Sequence, residues 1–191
     1  MIAQPDRVWT VDEYLRFERA SESKHEYTNG TVHAMAGASA AHNIITGNIF
    51  ASLHGQLRSR PCTLFPSDMR LKIPQEHSYT YPDIAVVCGE IVYDDSEQDT
   101  LLNPTVLIEV LSPSTEMYDR GKKSQRYRML PSLREYLLVA QDIPYIEHFV
   151  RYSDHQWLLS EVRSTQTALL LPSIDCTLLF SDIYAKVPPS R

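Results

Sequence analysis

Cysteine is scarce in this chain of 191 residues, which has three cysteines and no CxxC pair. Cys62, Cys88 and Cys176 are therefore expected to be reduced, buried thiols and not a disulfide framework or a zinc site. No apolar run approaches the roughly 18 residues that a membrane span requires. The first ten residues include Asp6 and Arg7 and lack the apolar segment of a signal peptide. These absences predict a cytoplasmic protein that contacts no membrane.

Positive charge is also in short supply, because 18 Lys and Arg stand against 24 Asp and Glu, for a formal net charge of −6. This balance excludes a protein that coats nucleic acid through a strongly basic face, but it allows a local basic strip. The composition, 43% hydrophobic and 22% charged, is that of an ordinary globular protein. We expect one domain over residues 1–191, with its core at about 10–184 and a loose tail at 187–191.

Local patterns predict the N-terminal elements. Thr10 and Glu13 have the spacing of a capping box at the start of a short helix. Asn29-Gly30 between two β-prone runs predicts a hairpin, because both residues tolerate positive φ. Apolar residues at every fourth position over 42–57 predict a longer amphipathic helix.

The rest of the chain alternates strand-like runs with one further helix. Residues 112–115 break a strand and precede a helix that runs to about Met129. This order predicts a mixed α/β or α+β domain, with helices flanking one central sheet. The predicted strands are 63–73, 81–88, 105–111, 135–140 and an antiparallel pair at 146–152 and 157–162.

Two acids, Asp83 and Glu109, stand inside nearly continuous apolar strand runs. A buried carboxylate is costly without a partner, and two of them on neighbouring strands repel each other. A divalent cation between them, Mg²⁺ or Mn²⁺, would resolve both problems because these ions prefer oxygen ligands. The alternative is that each acid lies at a strand end and faces solvent or an arginine.

The charges around Glu109 are strongly segregated. Residues 82–110 contain seven acids and no Lys or Arg, whereas residues 112–136 contain six bases and three acids. An acidic metal-binding strip followed by a basic helix suits phosphodiester cleavage, which needs a metal to activate water and cations to hold phosphates.

One face of the predicted basic helix carries Asp119, Lys123 and Tyr127, at the spacing i, i+4, i+8. If this face turns toward the two strand acids, Lys123 can reach the attacking water or the scissile phosphate. The alternative is a solvated Asp119–Lys123 pair worth a few tenths of a kcal/mol.

Several ordered motifs over about residues 10–184 resemble the Uma2 family of restriction endonucleases, formerly a domain of unknown function that is common in cyanobacteria. The resemblance implies a restriction-endonuclease-like fold of the PD-(D/E)xK superfamily, in which a central mixed sheet presents an Asp and a Glu to a divalent metal. The motifs are KHEYTNG (24–30), AGAS (36–39) with His42-Asn43, YPDIAVV (81–87), IEVLSPST (108–115) and YDRGKK (118–123).

By this resemblance, Asp83 matches the aspartate of the superfamily motif and Glu109 matches its second acid, both of them metal ligands. The motif lysine is absent, since Leu111 stands in its place. In related families this lysine can migrate to the following helix, and Lys123 fits such a replacement better than Lys122.

The family pattern also includes Glu26 and His42. Glu26 is a candidate third metal carboxylate, and His42 is a candidate general base, phosphate contact or structural residue at a helix end. Candidate phosphate-binding residues are Lys122, Arg126 and Tyr127. Asp68 is a weaker candidate, because it can simply mark a bend after Pro66, and Tyr127 can simply pack beneath the helix.

The predicted function is Mg²⁺- or Mn²⁺-dependent hydrolysis of DNA phosphodiesters by Asp83, Glu109 and Lys123, with no organic cofactor. Because one active site per chain must cut two strands, we expect a homodimer. One alternative is an inactive module of the same fold that binds nucleic acid or a protein partner. Another is a metal-dependent hydrolase that acts on something other than DNA.

Overall fold

The secondary structure follows the predicted order of elements with several additions. The computed structural model describes residues 7–35, 37–113, 115–163 and 166–188. In chain order, the elements are α1 (Val11–Ala20), β1 (His25–Thr28), β2 (Thr31–Ala34), α2 (Ala40–Leu57), β3 (Cys62–Pro66), β4 (Arg70–Ile73), β5 (Ser78–Thr80), β6 (Ile84–Cys88), β7 (Thr100–Leu101), β8 (Val106–Leu111), α3 (Glu116–Tyr118), a π-helical turn (Asp119–Lys123), α4 (Ser124–Tyr127), β9 (Glu135–Ala140), β10 (Tyr145–Ser153), β11 (Gln156–Arg163), β12 (Ala168–Leu171), β13 (Cys176–Leu179) and α5 (Phe180–Ile183).

The local signals at the N-terminus are confirmed. Thr10 caps α1, and its side chain and that of Glu13 form the reciprocal capping box. Asn29 and Gly30 both have positive φ and connect β1 to β2. The capped helix and the tight hairpin fix the approach of β1 to the rest of the protein, which matters because β1 carries Glu26.

The central sheet has six strands in the order β11-β10-β9-β8-β6-β3. It is mixed, since β8 and β9 run parallel whereas the other neighbours are antiparallel. On one face, Ile45, Ile49 and Leu53 of α2 pack in an apolar cluster with strand residues, β13 and α5. On the other face, Tyr127 and the segment after it pack in a second apolar cluster. The predicted fold class, a mixed sheet flanked by helices, is confirmed.

A second sheet, in the order β2-β1-β5-β4-β7, lies beside the central one and was not predicted. The predicted strand 63–73 is wrong because the chain turns between Pro66 and Met69, whose backbone N–H bonds back to the Pro66 carbonyl. This turn sends β3 into the central sheet and β4 into the second sheet. Asp68 lies in the turn, where it is exposed and pairs with Lys24.

The helix that follows β8 is shorter and less regular than predicted, because it begins at Glu116 and ends at Tyr127. Its middle is the π-helical turn at Asp119–Lys123. Such turns insert an extra residue into an α-helix and are frequent at functional sites. We refer to residues 116–127 together as the site helix.

The prediction of three free thiols is wrong, because Cys62 and Cys88 form a disulfide. The two residues are direct partners in the antiparallel pairing of β3 and β6, although they are 26 positions apart in the sequence. Their spacing alone does not reveal this register. Cys176 is a buried free thiol, as expected.

The C-terminal tail was predicted at 187–191, and of these residues only Val187 and Pro188 fall within the described part of the chain. Among the residues that the structure describes, no helix is long and apolar enough to span a membrane.

Three of the seven acids in the predicted metal-binding strip form ion pairs elsewhere in the fold, so the strip as a whole is not a metal site. Asp99 accepts hydrogen bonds from Arg19 at 2.8 Å and is paired with Arg70 at 2.7 Å. Asp95 pairs with Arg19, and Asp94 pairs with Lys72, each at 2.6 Å. These ion pairs tie α1 and β4 to the loop before β7. Of the other four acids, Glu90 and Glu97 are exposed, and Asp83 and Glu109 lie at the site.

Asp99 provides a test of this assignment. Hydrogen bonds from Arg19 hold the pKa of Asp99 well below its usual range, against the effect of burial, and Arg70 adds to the lowering. The stabilisation is therefore present above pH about 4 and is lost as the pH falls further. We expect Asp99→Asn to lower the free energy of unfolding at pH 7 by about 1–2 kcal/mol, allowing for solvent screening.

In urea unfolding, the difference between Asp99→Asn and wild type should shrink as the pH falls below about 4, because the wild type then loses the same charge. Glu97→Gln is the matched control, since Glu97 is an exposed acid of the same strip without a described ion pair. An unchanged stability of Asp99→Asn at pH 7 would refute this role for Asp99.

Candidate active site

Asp83 and Glu109 face each other at one end of the β6–β8 ladder. At this end of the ladder, Ile84 pairs with Ile108. Asp83, one residue before β6, therefore stands opposite Glu109, the residue after Ile108 in β8. Side chains at facing positions of an antiparallel pair project to the same side of the sheet. Asp83 is held in place by the backbone N–H of Val110, which donates to Oδ2 at 2.7 Å.

The side chain of Glu109 is almost fully buried and has two donors. Lys123 Nζ lies 2.9 Å from Oε1, and the Tyr127 hydroxyl donates to the same oxygen at 2.8 Å. Burial raises the pKa of Glu109 well above its usual value; the Lys123 ammonium opposes this rise, and the charge of Asp83 adds to it. A cation close to Glu109 is therefore required to keep this carboxyl ionised at neutral pH.

Lys123 is the centre of the cluster. Its Nζ lies 2.9 Å from Glu109, 3.3 Å from Glu26 and 3.7 Å from Asp119, and only 4% of the residue is exposed. Burial alone would lower the pKa of Lys123, but the charges of Glu109 and Glu26 outweigh burial and raise the pKa well above its usual value. The Lys123 side chain is thus a charged ammonium group at neutral pH.

The predicted face of the site helix does turn toward the strand acids. Asp119 and Lys123 both lie in the π-helical turn and are buried, and the Lys123 ammonium lies over the Tyr127 ring, 5.8 Å from its centroid. Burial raises the pKa of Asp119, which the Lys123 charge opposes. The alternative of a solvated Asp119–Lys123 pair is excluded by this burial.

Glu26 reaches the cluster from the second sheet. Its Oε1 faces Lys123, and its Oε2 accepts from the Tyr118 hydroxyl at 3.2 Å. Arg126 donates in turn to the Tyr118 oxygen at 3.1 Å. Glu26 is therefore already engaged by the Lys123 ammonium group and by the Tyr118 hydroxyl.

Tyr118 was not predicted as a site residue. Burial, reinforced by the nearby Glu26 carboxylate, raises the pKa of Tyr118 to about 12, so it remains a hydrogen-bond donor. The signal was present in the sequence, because Tyr118 and Arg126 have the same i, i+8 spacing that singled out Asp119 and Tyr127.

His42 lies in the first turn of α2 and contacts Asp83. Its Nε2 is 3.0 Å from Asp83 Oδ2, the oxygen that Val110 also contacts. Its Nδ1 is buried, with no hydrogen-bond partner among the described residues. His42 and the Val110 N–H thus hold Asp83 in position together.

The remaining predicted residues lie outside the carboxylate cluster. Lys122 is exposed and lines a surface cavity of about 310 Å³ together with Glu76 and Arg126. Arg126 also pairs with Glu76 at 3.6 Å. Asp68 lies in the exposed turn between β3 and β4 and pairs with Lys24.

The donor set at Asp83 and Glu109 fits a hard divalent cation. Within the described residues, no hydrogen bond occupies Asp83 Oδ1 or Glu109 Oε2, so each carboxylate retains one free oxygen. Among the same residues, no group of three or more His, Cys, Asp and Glu is arranged to hold a metal. A protein typically supplies only one or two carboxylate ligands to Mg²⁺, because the ion keeps several waters and takes further ligands from a phosphate.

Comparison with known proteins gives two relatives in Synechocystis sp. (strain ATCC 27184 / PCC 6803 / Kazusa). The protein sll1609 is 38% identical over 162 residues, which are 85% of this chain and 92% of that protein. The protein slr1290 is 34% identical over 173 residues, which are 91% of this chain and 90% of that protein.

A solved structure shares the fold. It is described as a putative nuclease belonging to DUF820 from Anabaena variabilis ATCC 29413, and it superposes with a TM-score of 0.75 at 18% identity, covering 94% of this chain and 99% of that chain. The model of the Uma2 family, described as "Putative restriction endonuclease", matches residues 11–179. These comparisons support a nuclease-like role, and the chain belongs to the Uma2 family.

Proposed function

We propose that this protein is a divalent-metal-dependent endonuclease that hydrolyses phosphodiester bonds of DNA. The observation that carries the proposal is the position of Lys123. Its ammonium group lies 2.9 Å from Glu109, beside the acid that the superfamily motif pairs with a strand lysine. The cation that is missing at Leu111 is thus supplied from the site helix.

In this proposal, the free oxygens of Asp83 and Glu109 hold Mg²⁺ or Mn²⁺. When bound, the metal supplies a Lewis acid that activates water and neutralises charge on the phosphate. His42 and the Val110 N–H orient the Asp83 carboxylate, and Tyr127 orients that of Glu109.

Lys123 acts as a fixed positive charge beside the scissile phosphate. Its raised pKa favours stabilisation of the developing negative charge over removal of a proton from water. Glu26 positions the ammonium group, and Tyr118 positions Glu26. A preorganised charge of this kind contributes most when water is excluded, which the burial of Lys123 provides.

Lys122 and Arg126 are proposed to contact the DNA backbone outside the cluster. Both belong to the site helix and line the same surface cavity. Because the net charge of the chain is −6, we expect weak, salt-sensitive binding that improves with the divalent metal. We further propose a homodimer, so that each of its two active sites cuts one DNA strand.

The first prediction concerns the two proposed metal ligands. Asp83→Asn and Glu109→Gln keep the shape of each side chain but remove its charge. We expect each to lower plasmid nicking in Mg²⁺ by at least about 100-fold, and to weaken Mn²⁺ binding measured by calorimetry. The control variant is Glu90→Gln, because Glu90 is an exposed acid shortly after β6; it should nick DNA and bind Mn²⁺ like the wild type.

Nicking that survives both substitutions would contradict the site assignment and point to a contaminant. A wild type that binds Mn²⁺ and DNA without cutting would instead favour the inactive binding module. Hydrolysis of a phosphodiester other than DNA, lost in the same variants, would retain the site and change the substrate.

The second prediction concerns Lys123. Lys123→Met leaves the neighbouring carboxylates without their cation, so we expect nicking to fall by about 100-fold and stability to fall by about 3–5 kcal/mol. Lys123→Arg keeps the charge and should retain most of the stability. The matched control, Lys186→Met, removes an exposed lysine and should change neither property.

The comparison of Met and Arg at position 123 distinguishes catalysis from folding. If Lys123→Arg is as stable as wild type but nicks at least about tenfold slower, the ammonium geometry contributes to the reaction. Full activity of a folded Lys123→Met protein would exclude Lys123 as the replacement for the motif lysine.

A further inference from the structure

A cavity of about 510 Å³ lies at the edge of the sheet where the parallel strands β8 and β9 end. Leu111, the last residue of β8, lines it. Leu111 and Glu109 are two positions apart on one strand, so their side chains project from the same face, about 7 Å apart along the strand. Glu109 and Lys123 do not line the cavity themselves, so the cavity lies about two residues along β8 from the carboxylate cluster.

The apolar part of the cavity lining is chemically suited to a flat, uncharged ring. Leu111 and Pro113 form apolar walls, and Ile143 contributes a further apolar side chain that is 53% exposed. Among the described residues that line the cavity, the charged ones are Arg120, Glu116 and Asp142, and the Arg120 guanidinium is already paired with Glu116 and Glu147. The described part of the lining thus has two acids and one paired cation, which disfavours a phosphate, in contrast to the surroundings of Lys123.

Gln141 supplies a directed hydrogen-bond donor in this cavity. The Ser39 hydroxyl accepts from the backbone N–H of His42 at 3.0 Å, so its own proton is donated to Gln141 Oε1, at 2.6 Å. Because Oε1 of Gln141 already accepts this hydrogen bond, the side chain has its amide NH₂ left to donate to a ligand. Ring nitrogens and keto oxygens of nucleobases are acceptors for such a group.

The same contacts connect the cavity to the metal-ligand candidates. Ser39 caps α2, and His42 in the first turn of that helix contacts Asp83. A ligand that orders Gln141 and Ser39 therefore also orders the residue that positions Asp83.

We propose that this cavity is a nucleoside subsite, which receives the base and sugar of the nucleotide next to the scissile phosphate, with Gln141 donating a hydrogen bond to the base. This inference rests on the proposed nuclease function. Its volume lies within the range of ordinary small-ligand pockets. A base enters only when it is unstacked, so single-stranded or mismatched DNA is the favoured substrate.

The test is direct titration of the protein with each of the four deoxynucleoside 5′-monophosphates and with inorganic phosphate, followed by NMR. We expect saturable shifts at the Gln141 side-chain amide and the Ile143 methyl groups with a mononucleotide, and much weaker shifts with phosphate alone. Ile143→Trp fills the cavity and should weaken mononucleotide binding by at least about tenfold, and Gln141→Ala should weaken it less.

The matched control is Leu158→Trp, because Leu158 is another exposed apolar residue, 60% exposed, on β11 away from the cavity. In nicking assays, Ile143→Trp should raise KM by about tenfold while kcat stays within about threefold. Leu158→Trp should change neither constant.

Three results would overturn the subsite. They are equal mononucleotide binding by Ile143→Trp and wild type, equal binding of inorganic phosphate and mononucleotides, and nicking by a wild type that binds no mononucleotide. The last of these leaves the nuclease proposal intact. Conversely, mononucleotide binding in the cavity without nicking by the wild type would support the subsite and contradict the nuclease proposal.

Discussion

The buried ammonium group of Lys123 is the interaction on which the rest of the site depends. It joins Glu109 of the central sheet to Glu26 of the second sheet and to Asp119 of its own helix. Without it, three buried carboxylates would face one another, and burial would drive them toward protonation. The lysine therefore sets the charge state of the site and also holds together three separate parts of the fold.

Each structural element around Lys123 has a recognisable task in this arrangement. The hairpin of β1 and β2 delivers Glu26, and the antiparallel pairing of β6 with β8 sets Asp83 opposite Glu109. The π-helical turn in the site helix contains both Asp119 and Lys123. On the far side, α2 brings His42 to Asp83. The metal candidates are thus supported by hydrogen bonds that fix their orientation before any cation arrives.

The sequence predicted the parts of this arrangement that depend on local spacing. The capping box, the Asn29-Gly30 hairpin and the helical face of Asp119, Lys123 and Tyr127 are all encoded within a few residues. Contacts that depend on register between distant segments were not predictable in the same way. Cys62 meets Cys88 only because β3 pairs with β6 in one particular register.

Charge patterning was informative in one respect and misleading in another. The strip of seven acids looks like a metal-binding region, but three of its members are neutralised by Arg19, Arg70 and Lys72 from other elements. The sequence alone does not indicate which basic side chains pair with which acidic side chains in the folded protein. Glu109 could be identified because it lies within an apolar strand, where a charge requires a specific partner.

The central claim is that Asp83 and Glu109 hold one divalent cation beside the Lys123 ammonium group. It is tested most directly by anomalous diffraction from crystals soaked in Mn²⁺. The account predicts a single anomalous peak within about 2.0–2.4 Å of one oxygen of each carboxylate, with Lys123 still in contact with Glu109, and no peak in Glu109→Gln crystals. The claim would be contradicted by the absence of a peak in the wild type, or by a peak that is not in contact with Asp83 and Glu109.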